Sequence, residues 1–138
     1  MNNKNTQAQI AEMAELAEKL EQEAKAASDA DAGSYEHIFK EPWEHGEKVY
    51  NSLHFEWNAL TGGDSLDIEM ELRRQGVTLV VPAFTGDYLA GMAARACTER
   101  KNESGKLVIK TADIKSLPMT DFLTITSQAR NYLLREMI

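Results

Sequence analysis

Only one cysteine, Cys97, occurs in the 138 residues, so no intramolecular disulfide can form and the fold must be held by packing. A lone thiol suits a reducing cytoplasm. Basic residues are the minority, 15 against 22 acidic, for a net charge of −7. Duplex-binding domains gain affinity by setting Lys and Arg on phosphates, so this balance, without any basic run, argues against nucleic acid. It argues equally against an anionic membrane surface. Long apolar runs are missing too. The longest, Leu79 to Phe84, contains Pro82 and falls far short of the ~20 residues of a membrane span. The first residues, Met1-Asn2-Asn3-Lys4-Asn5, lead into a charged amphipathic segment rather than the apolar core of a signal peptide.

What is present turns on the stretch Val49 to Arg74, where one period replaces another. Val49, Leu53, Phe55 and Trp57 fall on alternate residues, with Asn51 the polar member of that face, and Tyr50, Ser52, His54 and Glu56 on the other. A period of two predicts a half-buried strand. Leu60-Thr61-Gly62-Gly63-Asp64 follows, and the pattern becomes helical, with Leu66/Met70 and Ile68/Leu72 paired at four-residue spacing. Thr61 with Asp64 three residues on predicts a capping box built with the shorter acid. Gly76, just past Arg73 and Arg74, predicts the helix end.

Upstream, Thr6 to Ala27 is rich in helix formers. Ile10, Met13, Ala17, Leu20, Ala24 and Ala27 repeat at alternating spacings of three and four, a heptad seam that Leu16 widens. This is either a short coiled-coil or groove-binding helix, or a solvated extension. Ser28 to Ser34 reads as a polar linker, which divides the chain into an N-terminal helix with linker over 1–34 and a compact domain over 35–138. Tyr35–Glu41 and Glu47–Trp57 predict two strands around a turn of several residues carrying Pro42 and Gly46. Trp43 would lie at the turn, as a lid or an exposed contact, and Trp57 in the core.

Val77 to Pro82 is short and β-branched, hence a third strand or an extended buried connector. Thr85 or Asp87 can cap a following helix striped by Leu89, Met92, Ala93, Ala96 and Cys97, slim enough at Gly91 to approach a neighbour closely. Thr98 to Gly105 reads as a charged loop, Leu107 to Ile109 as extended, and Thr111 to Leu117 as one helical turn capped by Thr111. Pro118 suits the start of a last helix, whose stripe is Phe122, Ile125, Ala129, Tyr132, Leu133 and Met137. The fold class these elements imply is α+β. A β-hairpin packs on a small cluster of about three main helices, preceded by a separate amphipathic helix.

Chemistry-bearing residues are sparse. His37, His45 and His54 lie on or beside the hairpin, where antiparallel strands can bring two of them together. Zinc needs three or four converging ligands, however, and no recognised ligand spacing joins these histidines to Cys97. Cys97 itself, within an Ala/Leu/Met stripe, reads as a small buried hydrophobe. Thr61-Gly62-Gly63-Asp64-Ser65 lacks the lysine and glycine spacing of a phosphate loop, and Asp64 would repel a phosphate. No catalytic residue, metal or cofactor is expected.

The order of these features resembles the tail assembly chaperone family of long-tailed bacteriophages, short proteins encoded before the tape-measure gene. The matching elements are Phe39-Lys40-Glu41-Pro42, Gly46-Glu47-Lys48-Val49-Tyr50 with Leu53, and Leu60-Thr61-Gly62-Gly63-Asp64, similar to the family's Leu-Thr-Gly-x-Asp. They continue with the Ala-rich helix after Tyr88-Leu89, then Leu117-Pro118-Met119-Thr120-Asp121-Phe122, and Asn131-Tyr132-Leu133-Leu134. The resemblance covers roughly Tyr35 to Leu134. The Thr6–Ala27 helix lies outside it, and Lys101–Lys110 departs from the short helical connector expected there.

The resemblance implies a non-enzymatic protein that binds the tape-measure protein, with the major tail protein as a second candidate partner, in the host bacterial cytoplasm and is absent from the mature virion. It also implies self-association. The alternative is a minor tail or connector protein retained in the particle. Partner-binding residues are expected at Ile10, Met13, Leu16 and Leu20 of the first helix and Leu134 and Ile138 of the last. Leu60, Thr61, Gly62, Asp64, Leu117, Pro118 and Phe122 are expected to be structural.

Overall fold

A computed structural model gives the fold of residues 3–31 and 33–136, with the backbone alone for 3–5 and 21–31. The chain runs α1 (Asn3–Asp31), β1 (Ser34–His45), β2 (Lys48–Glu56), α2 (Gly62–Arg74), α3 (Gly86–Ala96), α4 (Thr111–Lys115) and α5 (Met119–Glu136). Single 3-10 turns intervene at Trp57–Ala59, Pro82–Phe84 and Thr98–Arg100. The fold is α+β: one antiparallel hairpin with the helices α2 to α5, preceded by α1. Met137 and Ile138, the latter an expected partner contact, lie outside the described residues.

The hairpin pairs Ser34 with Glu56, Tyr35 with Phe55, His37 with Leu53 and Ile38 with Ser52; beyond a register break, Trp43 faces Tyr50 and His45 faces Lys48. Phe39 to Pro42 on β1 therefore stand against Asn51 alone on β2. Proline has no N–H for a ladder, so Pro42 falls in this bulged stretch instead of the turn, which is the two residues Gly46 and Glu47. The bulge also corrects the expected face of β2. Leu53, Phe55 and Trp57 are buried as the alternation predicts, but below the break the buried residue is Tyr50, and Val49 is 58% exposed. Trp43 is likewise within β1 and buried, between Phe39 and Tyr50.

The helix α1 continues to Asp31, four residues into the expected linker, because nothing from Ser28 to Asp31 breaks a helix. Gly33 ends it at φ +83°, with its carbonyl accepting from Asn58 N–H at 3.2 Å. A Cβ there would fall 1.9 Å from the Asn58 side chain, so the crossing needs glycine on two counts.

Downstream, α2 begins as predicted. Thr61 N–H donates to Asp64 Oδ2 at 2.8 Å and Asp64 N–H donates back to Thr61 Oγ1 at 3.3 Å. Its end is a Schellman motif: Val77 N–H reaches Leu72 O at 2.9 Å and Gly76 N–H reaches Arg73 O at 3.0 Å, with Gly76 at φ +76°. Of the two apolar pairs, Ile68 and Leu72 are buried, whereas Leu66 and Met70 are exposed. The close approach expected at Gly91 is seen, since a Cβ there would meet Ile68 Cγ2 at 3.0 Å.

Val77 to Val81 is neither a strand nor a buried connector. Val77 and Leu79 are half-buried against the core, while Val80 and Val81 are exposed, because no neighbouring strand borders this segment. Two expected caps also differ. Thr85 precedes α3, but its hydroxyl donates backwards to Val81 O at 2.7 Å. Thr111 is the first residue of α4, and it is Lys110 N–H that Asp113 Oδ2 accepts at 2.7 Å. Pro118 immediately precedes α5, its carbonyl taking Phe122 N–H at 3.0 Å.

The core lies where the hairpin's buried face meets α3 and α5: Tyr35, Leu53, Phe55 and Trp57 against Leu89, Ala93, Ile125 and Ala129, closed below by Ile109 and Ile114. Alanines on α3 keep that helix slim enough to be buried almost all round. Phe55 and Trp57 stack at 5.3 Å, and Tyr35 stacks on Phe55 at 6.2 Å.

Candidate functional site

Every described side chain from Thr6 to Leu20 is exposed. That includes the seam: Ile10 at 62%, Met13 at 70%, Leu16 at 57% and Leu20 at 56%. The spacing of three and four puts these four on one side of an unbroken helix, so they form a continuous apolar strip that is exposed. Isolated apolar residues on a surface are ordinary, but a strip at heptad spacing is the feature that helix partners bury. Elsewhere along its length α1 approaches β1 and α5 through its backbone. Leu134, the remaining described member of the expected partner set, lies on the last turns of α5 and is 37% exposed.

Of the residues expected to be structural, Leu60, Thr61 and Asp64 sit at the joint between hairpin and helices. Trp57, Leu60, Thr61, Asp64, Ser65, Ile68, Tyr88, Met92, Tyr132 and Leu133 line a cavity of about 230 Å³. Ser65 Oγ and Tyr88 Oη share a hydrogen bond of 2.7 Å, and Tyr132 O–H donates to Asn58 Oδ1 at 2.9 Å. Asp64 is held below the usual carboxylate range, first by the Thr61 N–H and then, against partial desolvation, by Arg95 at 2.8 Å. Cap and ion pair thus use one carboxylate to tie α2 to α3. Leu117 is buried and Phe122 packs against the core, whereas Thr61, Gly62 and Pro118 are exposed.

The three histidines each have separate carboxylate partners. His37 Nε2 lies 2.7 Å from Asp121 of α5, with Tyr35 Oη 2.8 Å from Nδ1. His45 Nε2 donates to Val108 O at 2.9 Å, stands 3.5 Å from Asp113, and stacks on Trp43 at 4.7 Å. His54 bonds Glu36 at 2.9 Å and Glu99 at 3.3 Å. The set joins the hairpin to other elements at successive points along its length. Among the described residues no group of three or more His, Cys, Asp or Glu converges on a point where an ion would sit. Desolvation opposes the charged form of His54, yet Glu36 and Glu99 together raise its pKa above the usual histidine value.

Cys97 is buried, and desolvation, with Glu99 nearby, pushes its thiol up to about 12, far from the range of a reactive thiolate. Sequence reasoning singled out the seam and the cap. It missed the His37–Asp121 pair and the far wall of the joint cavity, Met92 and Tyr132, because no local period links residues so distant in the chain. Among the described residues no helix is long and apolar enough to cross a membrane. Comparison with protein families, curated proteins and solved structures finds no match to this chain.

Proposed function

We propose that this chain is a non-enzymatic tail assembly chaperone of a long-tailed bacteriophage, which holds the helical tape-measure protein soluble while tail-tube subunits assemble around it. The reading rests on the ordered resemblance from Tyr35 to Leu134. The observation that carries it furthest is the uncovered strip Ile10–Met13–Leu16–Leu20, a surface suited to an amphipathic helix and not to a small molecule. The net charge of −7 keeps such a carrier from self-aggregating while a greasy face stays open. In this reading the protein acts in the bacterial cytoplasm and leaves before the particle is finished.

Co-expression with a fragment of the cognate tape-measure protein tests it. The fragment should become soluble and co-purify with the full chain. Failure of the pair to associate overturns the reading. Recovery of the chain from purified virions at stoichiometric levels would instead support a retained minor tail or connector protein.

A further inference from the structure

We propose that His54 is a protonation-dependent clasp: with two ring protons it ties β1 and the Thr98–Arg100 turn to β2, and with one it lets go of Glu36. The inference does not rest on the tail-assembly reading. It comes from what the two ring nitrogens face. Nε2 stands 2.9 Å from Oε2 of Glu36, the residue directly opposite in the hairpin. Nδ1 stands 3.3 Å from each oxygen of Glu99. An ionised carboxylate only accepts hydrogen bonds, and a neutral imidazole has one N–H and one lone pair. Both contacts are hydrogen bonds together only when the ring is an imidazolium, with a proton on each nitrogen. The other two histidines differ. His37 faces one carboxylate and a phenol that can donate, and His45 Nε2 donates to a carbonyl, so a neutral ring suffices at both.

Loss of one proton leaves one carboxylate of the His54 pair facing a bare lone pair, and the surroundings decide which. Glu99 is fastened independently of the ring. Its Oε1 accepts the His54 backbone N–H at 2.5 Å, and its Oε2 accepts the Thr98 hydroxyl. Among the described residues the Glu36 carboxylate bonds the ring alone, and its side chain is 36% exposed against 24% for Glu99. Glu36 can turn to water, whereas Glu99 would give up two further bonds to do so. The remaining proton therefore stays on Nδ1, toward Glu99, and Nε2 releases Glu36. The cross-strand pair is lost, while the Thr98–Arg100 turn stays attached to β2 through the backbone bond.

The groups around Glu99 do not titrate in the same range. Cys97 and Tyr50, which both sense its charge, are pushed up first by desolvation, Cys97 to about 12, and both keep their protons. Arg100, beside Cys97, is charged throughout.

The test uses the full chain with isotope-labelled histidine, read by nitrogen NMR of the rings, the His54 signals being those lost in His54→Gln. As the pH rises, the ring should pass from the doubly protonated form to the Nδ1–H form, at a midpoint above the ~6.5 of a free histidine. The Glu36 carboxyl carbon should shift at that same midpoint. An Nε2–H form on the alkaline side, or a midpoint at or below ~6.5, overturns the proposal. Two variants check the roles of the carboxylates separately. Glu36→Gln sets an amide N–H beside Nε2, which satisfies the neutral ring, so the midpoint should fall with the proton still on Nδ1. Glu99→Gln lets an amide donate to Nδ1 while its oxygen keeps the backbone N–H, so the neutral ring should hold its proton on Nε2, toward Glu36. A ring whose alkaline form ignores Glu99→Gln overturns the clasp.

Discussion

His37 on β1 and Asp121 in the first turn of α5 sit 2.7 Å apart although 84 positions separate them in the chain. Tyr35 Oη, 2.8 Å from the other ring nitrogen, completes the row. The neutral imidazole fits both neighbours when Nε2–H donates to the carboxylate and Nδ1 accepts from the phenol, a tautomer assigned from the partners. His37 is 5% exposed, so its two bonds replace water it has lost. His37→Ala should therefore destabilise the fold by about 2–4 kcal/mol, from two lost hydrogen bonds and a partly buried carboxylate left without its partner. Urea unfolding of the variant and the parent protein checks the value.

The pH profile should carry two opposed contributions. Burial depresses the His37 pKa, with Asp121 opposing in part. The unfolded chain takes up its proton near pH 6.5 while the folded chain does not, so stability is full above about that pH and falls as the pH drops through the window below it. His54 has the reverse sign. Its contribution is present below about pH 6.5 and is lost as the pH rises through the higher folded value. Chemical unfolding across this range should show His37→Gln losing the acid-side decline and His54→Gln losing the alkaline-side decline. Parallel profiles for parent and variants would refute the assignment.

Much of the fold is readable from the chain because its signals are local. The alternation at Leu53, Phe55 and Trp57, the Thr61–Asp64 box and the Gly76 stop each lie within a few residues of what they specify. Errors arise where a distant partner decides. The face of Val49 and Tyr50 depends on four bulged residues of the other strand, and period counting within β2 cannot see them. Val77 to Val81 has the composition of a strand but no strand beside it to pair with. The seam of α1 was visible for the same local reason as the cap, whereas the joint cavity needed α2, α3 and α5 to be assembled first.

Gly33→Ala should cost about 1–3 kcal/mol, combining a residue forced to positive φ with a collision against Asn58. The two parts separate in a double variant. Adding Asn58→Ala should recover the collision but not the roughly 1 kcal/mol of left-handed backbone. Full recovery would show that the backbone conformation carries no cost. Thermal unfolding of the three variants measures both parts.

Changing Leu16 and Leu20 together to Asp should leave the compact domain folded, because both side chains are more than half exposed and touch no core residue across the described region. Surface changes of this kind usually shift stability by no more than about 0.5 kcal/mol. Capture of the helical partner should weaken while the urea midpoint of the domain stays in place. Loss of the native spectrum would instead make α1 part of the fold and remove the surface from consideration.

Cys97 offers a direct readout of opening. At 1% exposure and with its thiol pushed up to about 12, it should resist an aromatic disulfide reagent in the native state and react only when the α3 end lifts from Phe55, its bridge partner on β2. Labelling should then follow the population of the open form. Leu53→Ala, which removes a fully buried side chain from the same face of β2, should lower stability by about 2–5 kcal/mol. If opening is global, the labelling rate should rise tenfold for each ~1.4 kcal/mol lost, measured against urea unfolding of the same variant. A rate that ignores Leu53→Ala would mean that the α3 end opens by itself, with the hairpin still in place.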